Sequence, residues 1–140
     1  MNGSFIRKAF TAEERSRVAW VWNENPDMEH DSFGELETIE GGNATRDRVF
    51  ALNIDEAKKY FDNDEDRMAS ATRYALGKDA RESNRYFTDD GVGTGWWWLR
   101  SPGYFSQLAA RVHNDGVVGD LGYGVDNSSV SVRPALWLNL

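Results

Sequence analysis

Catalysis and metal binding need side chains that titrate, attack or ligate at workable spacings, and this sequence offers few such patterns. His30 and His113 lack the His-Glu-x-x-His spacing that turns two imidazoles toward zinc from one helix face, and cysteine is absent. Ser101 precedes Pro102 without the Gly-x-Ser-x-Gly elbow that exposes a nucleophile. The acidic run Asp62-Asn63-Asp64-Glu65-Asp66 lacks the alternating ligands, central glycine and closing glutamate of an EF-hand loop, so helix capping is its cheaper explanation. Carboxylate pairs recur throughout residues 24–66, and none stands out for acid–base work. The expectation is no catalytic residue, no metal and no cofactor.

Recognition chemistry is better represented. Tyr104, Phe105, Ser106, Gln107 and Leu108 follow a Pro-Gly turn and precede a strand, which predicts a loop with outward side chains of the adaptable kind that recognition surfaces use. Arg111, His113, Val118, Asp120, Leu121, Tyr123 and Asp126 would extend that surface from neighbouring strands and loops. Trp96, Trp97 and Trp98 admit two readings, a sugar-stacking platform or core packing on a two-sided strand, and packing is favoured for them and for Trp137. Arg100 and Arg133 fit either an anion-holding fork or a scaffold brace, and the brace is favoured.

These residues need elements to position them. Thr11 through Glu14 forms a capping-box pattern opening a short helix, and Arg17–Trp22 reads as a strand before an exposed loop over Asn23–Arg46. Asp47–Asn53 predicts a strand, Asp55 a cap for a helix over Glu56–Phe61, and Glu65–Leu76 a further helix ending near Gly77. Lys78–Gly95 is polar and turn-rich, hence loop. Alternation along Trp96–Arg100 places Trp96 and Trp98 on one face and Trp97 on the other. Ala109–His113 and Val117-Val118 predict a hairpin around Asn114-Asp115-Gly116, and a final strand spans Val130–Leu138 with Pro134 at an edge or bulge. Short antiparallel strands, two or three short helices and long loops make this an α+β fold in a single domain over 1–140.

Composition narrows the partners. The formal charge is −7, and all of the acidic excess lies in residues 1–95, because 96–140 carries equal numbers of acids and bases. Without a basic stripe, nucleic acid and anionic lipid are poor partners, which leaves protein or carbohydrate. No run approaches a membrane span and the polar start has no signal-like core, so the expectation is an intracellular protein or a piece of a longer surface or phage protein. Sequence does not address oligomeric state.

Trp97-Trp98-Leu99-Arg100-Ser101-Pro102-Gly103, Ala109-Ala110, Val112, Asp115-Gly116 and Val132-Arg133-Pro134-Ala135-Leu136-Trp137-Leu138-Asn139-Leu140 resemble the closing signature of a large bacterial domain family of unknown function abundant in gut bacteria. Asp47–Phe61 resembles its other recurring segment, with Thr72 and Tyr74-Ala75 matching a weaker one. That family is similar to the C-type-lectin-like group, which includes formylglycine-generating enzymes and the variable proteins of diversity-generating retroelements. The resemblance implies a C-type-lectin-like scaffold from 1–102 and 132–140, holding binding loops over 103–131 for a non-catalytic ligand-recognition module. Family members usually have a strand and an aromatic helix before the equivalent of Asn2, so this domain is read as N-terminally truncated or as borrowing a strand. Lectin-type calcium ligands are weighed at Asp115, Asp120 and Asp126, which lack the paired Glu-Pro-Asn context. Formylglycine-generating activity requires cysteines that are missing here. An enzyme of the sulfatase-modifying or hydrolase type, or a purely architectural domain, remains the alternative.

Overall fold

The computed structural model describes residues 2–32, 34–83 and 85–140. Phe33 and Asn84, inside two stretches read above as loops, lie outside the described residues, as does Met1 of the polar start. Helix α1 (Asn2–Ala9) is a structured start that the polar composition did not announce, anchored by buried Ile6. Helix α2 (Ala12–Arg17) opens as expected: Thr11 Oγ1 accepts from the Glu14 amide and the Glu14 carboxylate accepts from the Thr11 amide at 2.7 Å.

The next segment departs from expectation. Arg17–Trp22 is not one strand: Arg17 closes α2, Val18 makes an isolated bridge with Leu138, and β1 is confined to Val21–Asn23. The supposed loop over Asn23–Arg46 contains an antiparallel hairpin, β2 (Met28–Ser32) with β3 (Glu35–Ile39), and then β4 (Thr45–Asp47), which pairs with β1. Acidic residues have low strand propensity, which hid this hairpin; its ladder and its packing on Tyr104 override that preference.

Asp47–Asn53 is likewise mostly irregular, with Phe50 bridging Ala135. Helix α3 (Ile54–Tyr60) is capped by Asn53 rather than Asp55, through a second reciprocal capping box with Glu56. The single helix expected over Glu65–Leu76 is two short ones, α4 (Asp64–Arg67) and α5 (Arg73–Leu76), capped by Asn63 and Thr72. Two side-chain caps so close together compete with one continuous helix. Among the described residues, five short helices therefore stand where two or three were expected.

The C-terminal part builds the main sheet from β5 (Trp97–Pro102), β6 (Leu108–Val112), β7 (Val118–Gly124) and β8 (Ser131–Val132), in the order β7-β6-β5-β8. The hairpin at Asp115-Gly116 is where the sequence placed it, and Gly116 takes the left-handed φ of +82°. β8 is shorter than the expected final strand and pairs parallel with β5, so the sheet is not wholly antiparallel. The region 103–131 holds two paired strands, β6 and β7, with turns and loops before, between and after them. Pro134 lies just beyond β8 at the sheet edge, where its missing amide costs no ladder bond.

The core is one face of this sheet. Trp97 and Leu99 of β5, and Ala110 and Val112 of β6, pack with Leu52, Ile54 and Ala57. Trp97 donates from Nε1 to the Arg67 carbonyl at 3.0 Å. Arg133 donates to the same carbonyl and stacks over Phe61 and Trp97 at 4.7 and 5.0 Å. Burial pushes its guanidinium below the ordinary value. Arg100 donates to the Ala51 and Glu24 carbonyls and pairs with the Glu56 carboxylate. Both arginines therefore brace the chain. Trp137, expected in the core, is about half exposed and rests edge-on against Tyr60.

The Glu56–Arg100 pair gives the stability a pH dependence. Burial is the largest single influence on Glu56 and raises its pKa; hydrogen bonds from Arg100 and the Asn53 amide, with the charges of Arg100 and Lys59, outweigh it and hold the carboxyl below 4.5. A folded value below the unfolded one means stability that is complete above the unfolded value and lost as pH falls through the folded one. Thermal melts below about pH 4.5 should show a falling midpoint whose slope is shallower in Glu56→Gln. Equal slopes in both proteins would remove Glu56 from the acid response.

Candidate functional site

The face of the sheet opposite the core carries a group of aromatic and cationic side chains. Trp98 pairs with Arg111 across β5 and β6, and strand alternation turns both away from the core neighbours Trp97 and Val112. Trp96, just before β5, lies 5.4 Å from the His113 ring at 33°, and 5.4 Å from Tyr123 of β7 at 88°. The two rings make a right-angled corner. The Arg111 guanidinium fills it, 4.6 Å from the Trp96 centroid and 4.4 Å from that of Tyr123, with one amine donating to the Gly122 carbonyl at 2.7 Å. Arg111 Nε is buried and has no partner among the described residues.

A backbone irregularity places Tyr123 there. Gly119 and Tyr123 of β7 stand opposite Arg111 and Ala109 of β6, so β7 bulges between them and presents Asp120 and Leu121 to solvent. Gly122 is the hinge of the bulge: its φ is +86°, and a Cβ there would lie 2.7 Å from the Gly103 Cα and 3.0 Å from the Ala109 carbonyl.

Trp96 and Tyr123 line an open cleft of about 820 Å³. One wall is the segment Asp79, Arg81, Glu82 and Ser83; the other is the turn Asp126-Asn127-Ser128-Ser129; Asn114 and Gly95 complete it. Hydrogen bonds fix both walls: Arg81 N donates to the Ser129 carbonyl at 3.4 Å, Ser83 N to Thr94 at 2.7 Å, and the Ser129 amide to Asn127 Oδ1 at 2.9 Å. Asp79 has a positive φ of 71°, unusual for a residue with a side chain. Carboxylate, amide and hydroxyl groups thus surround an aromatic corner, which is the chemistry that recognises polyols: rings meet C–H faces while polar groups take hydroxyls.

Of the residues expected to bind, Tyr123 and Asp126 line this cleft, beside Trp96, which the sequence assigned to scaffold. His113 and Arg111 sit against Trp96, and Arg111 is buried rather than displayed. Burial lowers the pKa of His113, the Arg111 charge lowers it further, and Asp115 opposes both. Burial also lowers that of Arg111, against a smaller opposing contribution from Tyr123. Val118 is half-buried and packs against the core cluster.

Tyr104, Phe105, Ser106, Gln107 and Leu108 gather elsewhere. Tyr104 packs edge-on against Phe105 at 4.7 Å and His30 at 5.2 Å, and donates to Glu37 of β3. Phe105, Ser106 and Gln107 are exposed, whereas Leu108 is half-buried. With Leu121 they border the bulge, since the Tyr104 amide donates to the Leu121 carbonyl at 2.9 Å. Asp79, Glu82, Ser83, Asn114 and Asn127 were missed because turn-rich polar stretches look alike in sequence. The Asn127-Ser128-Ser129 turn was the available signal.

The family described as Domain of unknown function (DUF6273) matches residues 1–140. The chain belongs to it. No curated protein and no solved structure matches the chain. For this DUF6273 domain, the described residues include no group of three or more His, Cys, Asp or Glu arranged to hold a metal, and no helix long and apolar enough to cross a membrane.

Proposed function

We propose that this DUF6273 domain is a non-catalytic recognition module that binds glycans in the Trp96–Tyr123 cleft. The observation that carries the reading is the perpendicular pair of rings, 5.4 Å apart, at the lining of a polar cleft of about 820 Å³. A pyranose presents C–H faces and a rim of hydroxyls, and the cleft supplies a partner for each. The C-type-lectin-like scaffold implied by the Trp-rich and Arg-Pro-Ala-Leu-Trp motifs belongs to the same proposal. So does diversification by a retroelement, which an adjacent reverse transcriptase with a near-identical template repeat would support.

A protein ligand is the second reading. It is favoured by Phe105 and Leu121, each more than half exposed beside the bulge.

A glycan array probed with the wild type, Tyr123→Ala and Phe105→Ala separates these readings. Tyr123→Ala should weaken glycan binding by about 10-fold or more, the loss of one stacked ring, while Phe105→Ala leaves it unchanged. Equal glycan binding by wild type and Tyr123→Ala would reject the cleft, and turnover of a bound glycan would reject the non-catalytic reading.

A further inference from the structure

The corner between Trp96 and Tyr123 has the form of an aromatic notch for a cation. Two rings at 88° border a common space over their electron-rich faces, which is how aromatic side chains hold ammonium groups. Here that space is taken. The Arg111 guanidinium lies within 4.6 Å of one ring centroid and 4.4 Å of the other.

Arg111 lacks the usual reasons for a buried arginine. Among the described residues it joins no ion pair; these are Arg17–Glu13, Arg67–Asp64 and Arg100–Glu56. Its Nε is buried without an acceptor, and its charge is met chiefly by the two rings and the Gly122 carbonyl. A cation so placed carries a desolvation cost that a Met or Leu would avoid.

We propose that Arg111 is the specificity-determining residue of the cleft, filling with the chain's own guanidinium the aromatic notch where a ligand's ammonium group would sit, and so restricting the cleft to uncharged glycans. This rests on the recognition reading above. Acidic sugars are disfavoured by the other side of the same device, because Asp79, Glu82 and Asp126 outnumber Arg81 in the lining. Arg111 touches no ligand in this scheme; it presents Trp96 and Tyr123 to the cleft and keeps cations out of the space between them.

Tetramethylammonium tests the notch without any glycan, by titration against the indole resonance of Trp96. The wild type should show no saturable response. Arg111→Ala, which empties the notch, should bind it saturably, and adding Tyr123→Ala should abolish that binding. Arg111→Gln, which retains a donor for Gly122, is the second variant should Arg111→Ala fail to fold. Saturable binding by the wild type, or no gain in a folded variant, overturns the proposal. Loss of the fold in both variants also overturns it, by making Arg111 a structural brace. A neutral, amino and uronic glycan panel read alongside keeps the two ideas apart: no glycan bound by the wild type sinks the recognition reading, whereas equal binding of amino and neutral forms sinks only the role of Arg111.

Discussion

Gly116→Ala should leave the domain unfolded, or at best lower its thermal midpoint by about 10 °C or more. Two costs coincide at this turn. The backbone φ of +82° penalises any residue with a side chain, and a Cβ would lie 1.7 Å from the Asp64 carbonyl oxygen and 2.5 Å from its carbon. Backbone at that distance cannot rotate aside as a flexible side chain would, so α4 or the β6–β7 turn must move. Movement breaks more than a contact, because the Gly116 carbonyl accepts from Arg67 Nε at 3.0 Å, and Arg67 also supplies the carbonyl that holds Trp97 and Arg133. Left-handed strain together with overpacking amounts to about 3 kcal/mol or more. Equilibrium denaturation measures it, and a loss under about 1 kcal/mol would show that the turn and α4 are not rigidly joined.

Trp97→Ala should cost about 3–5 kcal/mol, the usual range for deleting a large buried ring. Trp97 is 2% exposed and packs edge-on with Phe61 at 6.4 Å. Removing it leaves a cavity beneath Arg133 and deprives the Arg67 carbonyl of its indole donor. Trp96→Ala should behave differently although it alters the adjacent residue. Trp96 is half-buried on the opposite side of the strand and lines the cleft, so its loss should fall mainly on binding, with a smaller change in stability. Denaturation curves for both variants test that division; comparable stability losses would mean that Trp96 is framework.

Local grammar carried much of the fold. Thr11 with Glu14, the Asp115-Gly116 hairpin and the alternation that buries Trp97 each depend on a few adjacent residues, and each is legible from their chemistry. Where neighbours from afar decide the outcome, sequence reading failed. The α3 cap is an exception, since Asn53 with Glu56 at the third position is a local pattern passed over for Asp55; Ser101, far along the chain in β5, takes the next amide, that of Ile54. The parallel pairing of Ser131-Val132 with β5 leaves no mark in a two-residue strand.

The site was half legible for the same reason. Tyr123 and Asp126, polar and aromatic residues between the two scaffold motifs, line the cleft. Asp79, Glu82 and Ser83 reach the cleft only through long-range backbone bonds such as Arg81 to Ser129 and Ser83 to Thr94. Arg111 shows the remaining gap. Its type and strand position suggested a ligand contact, whereas only the ring distances show that it is enclosed by Trp96 and Tyr123.

The most direct test of glycan recognition is to map amide and indole NMR shifts while titrating the tightest neutral glycan from the array. Changes centred on the Trp96 indole, Asn114, Tyr123 and Asn127, saturating at a single dissociation constant, are the expected result. Changes centred on Phe105 and Leu121, or no saturable response to any glycan, would contradict it.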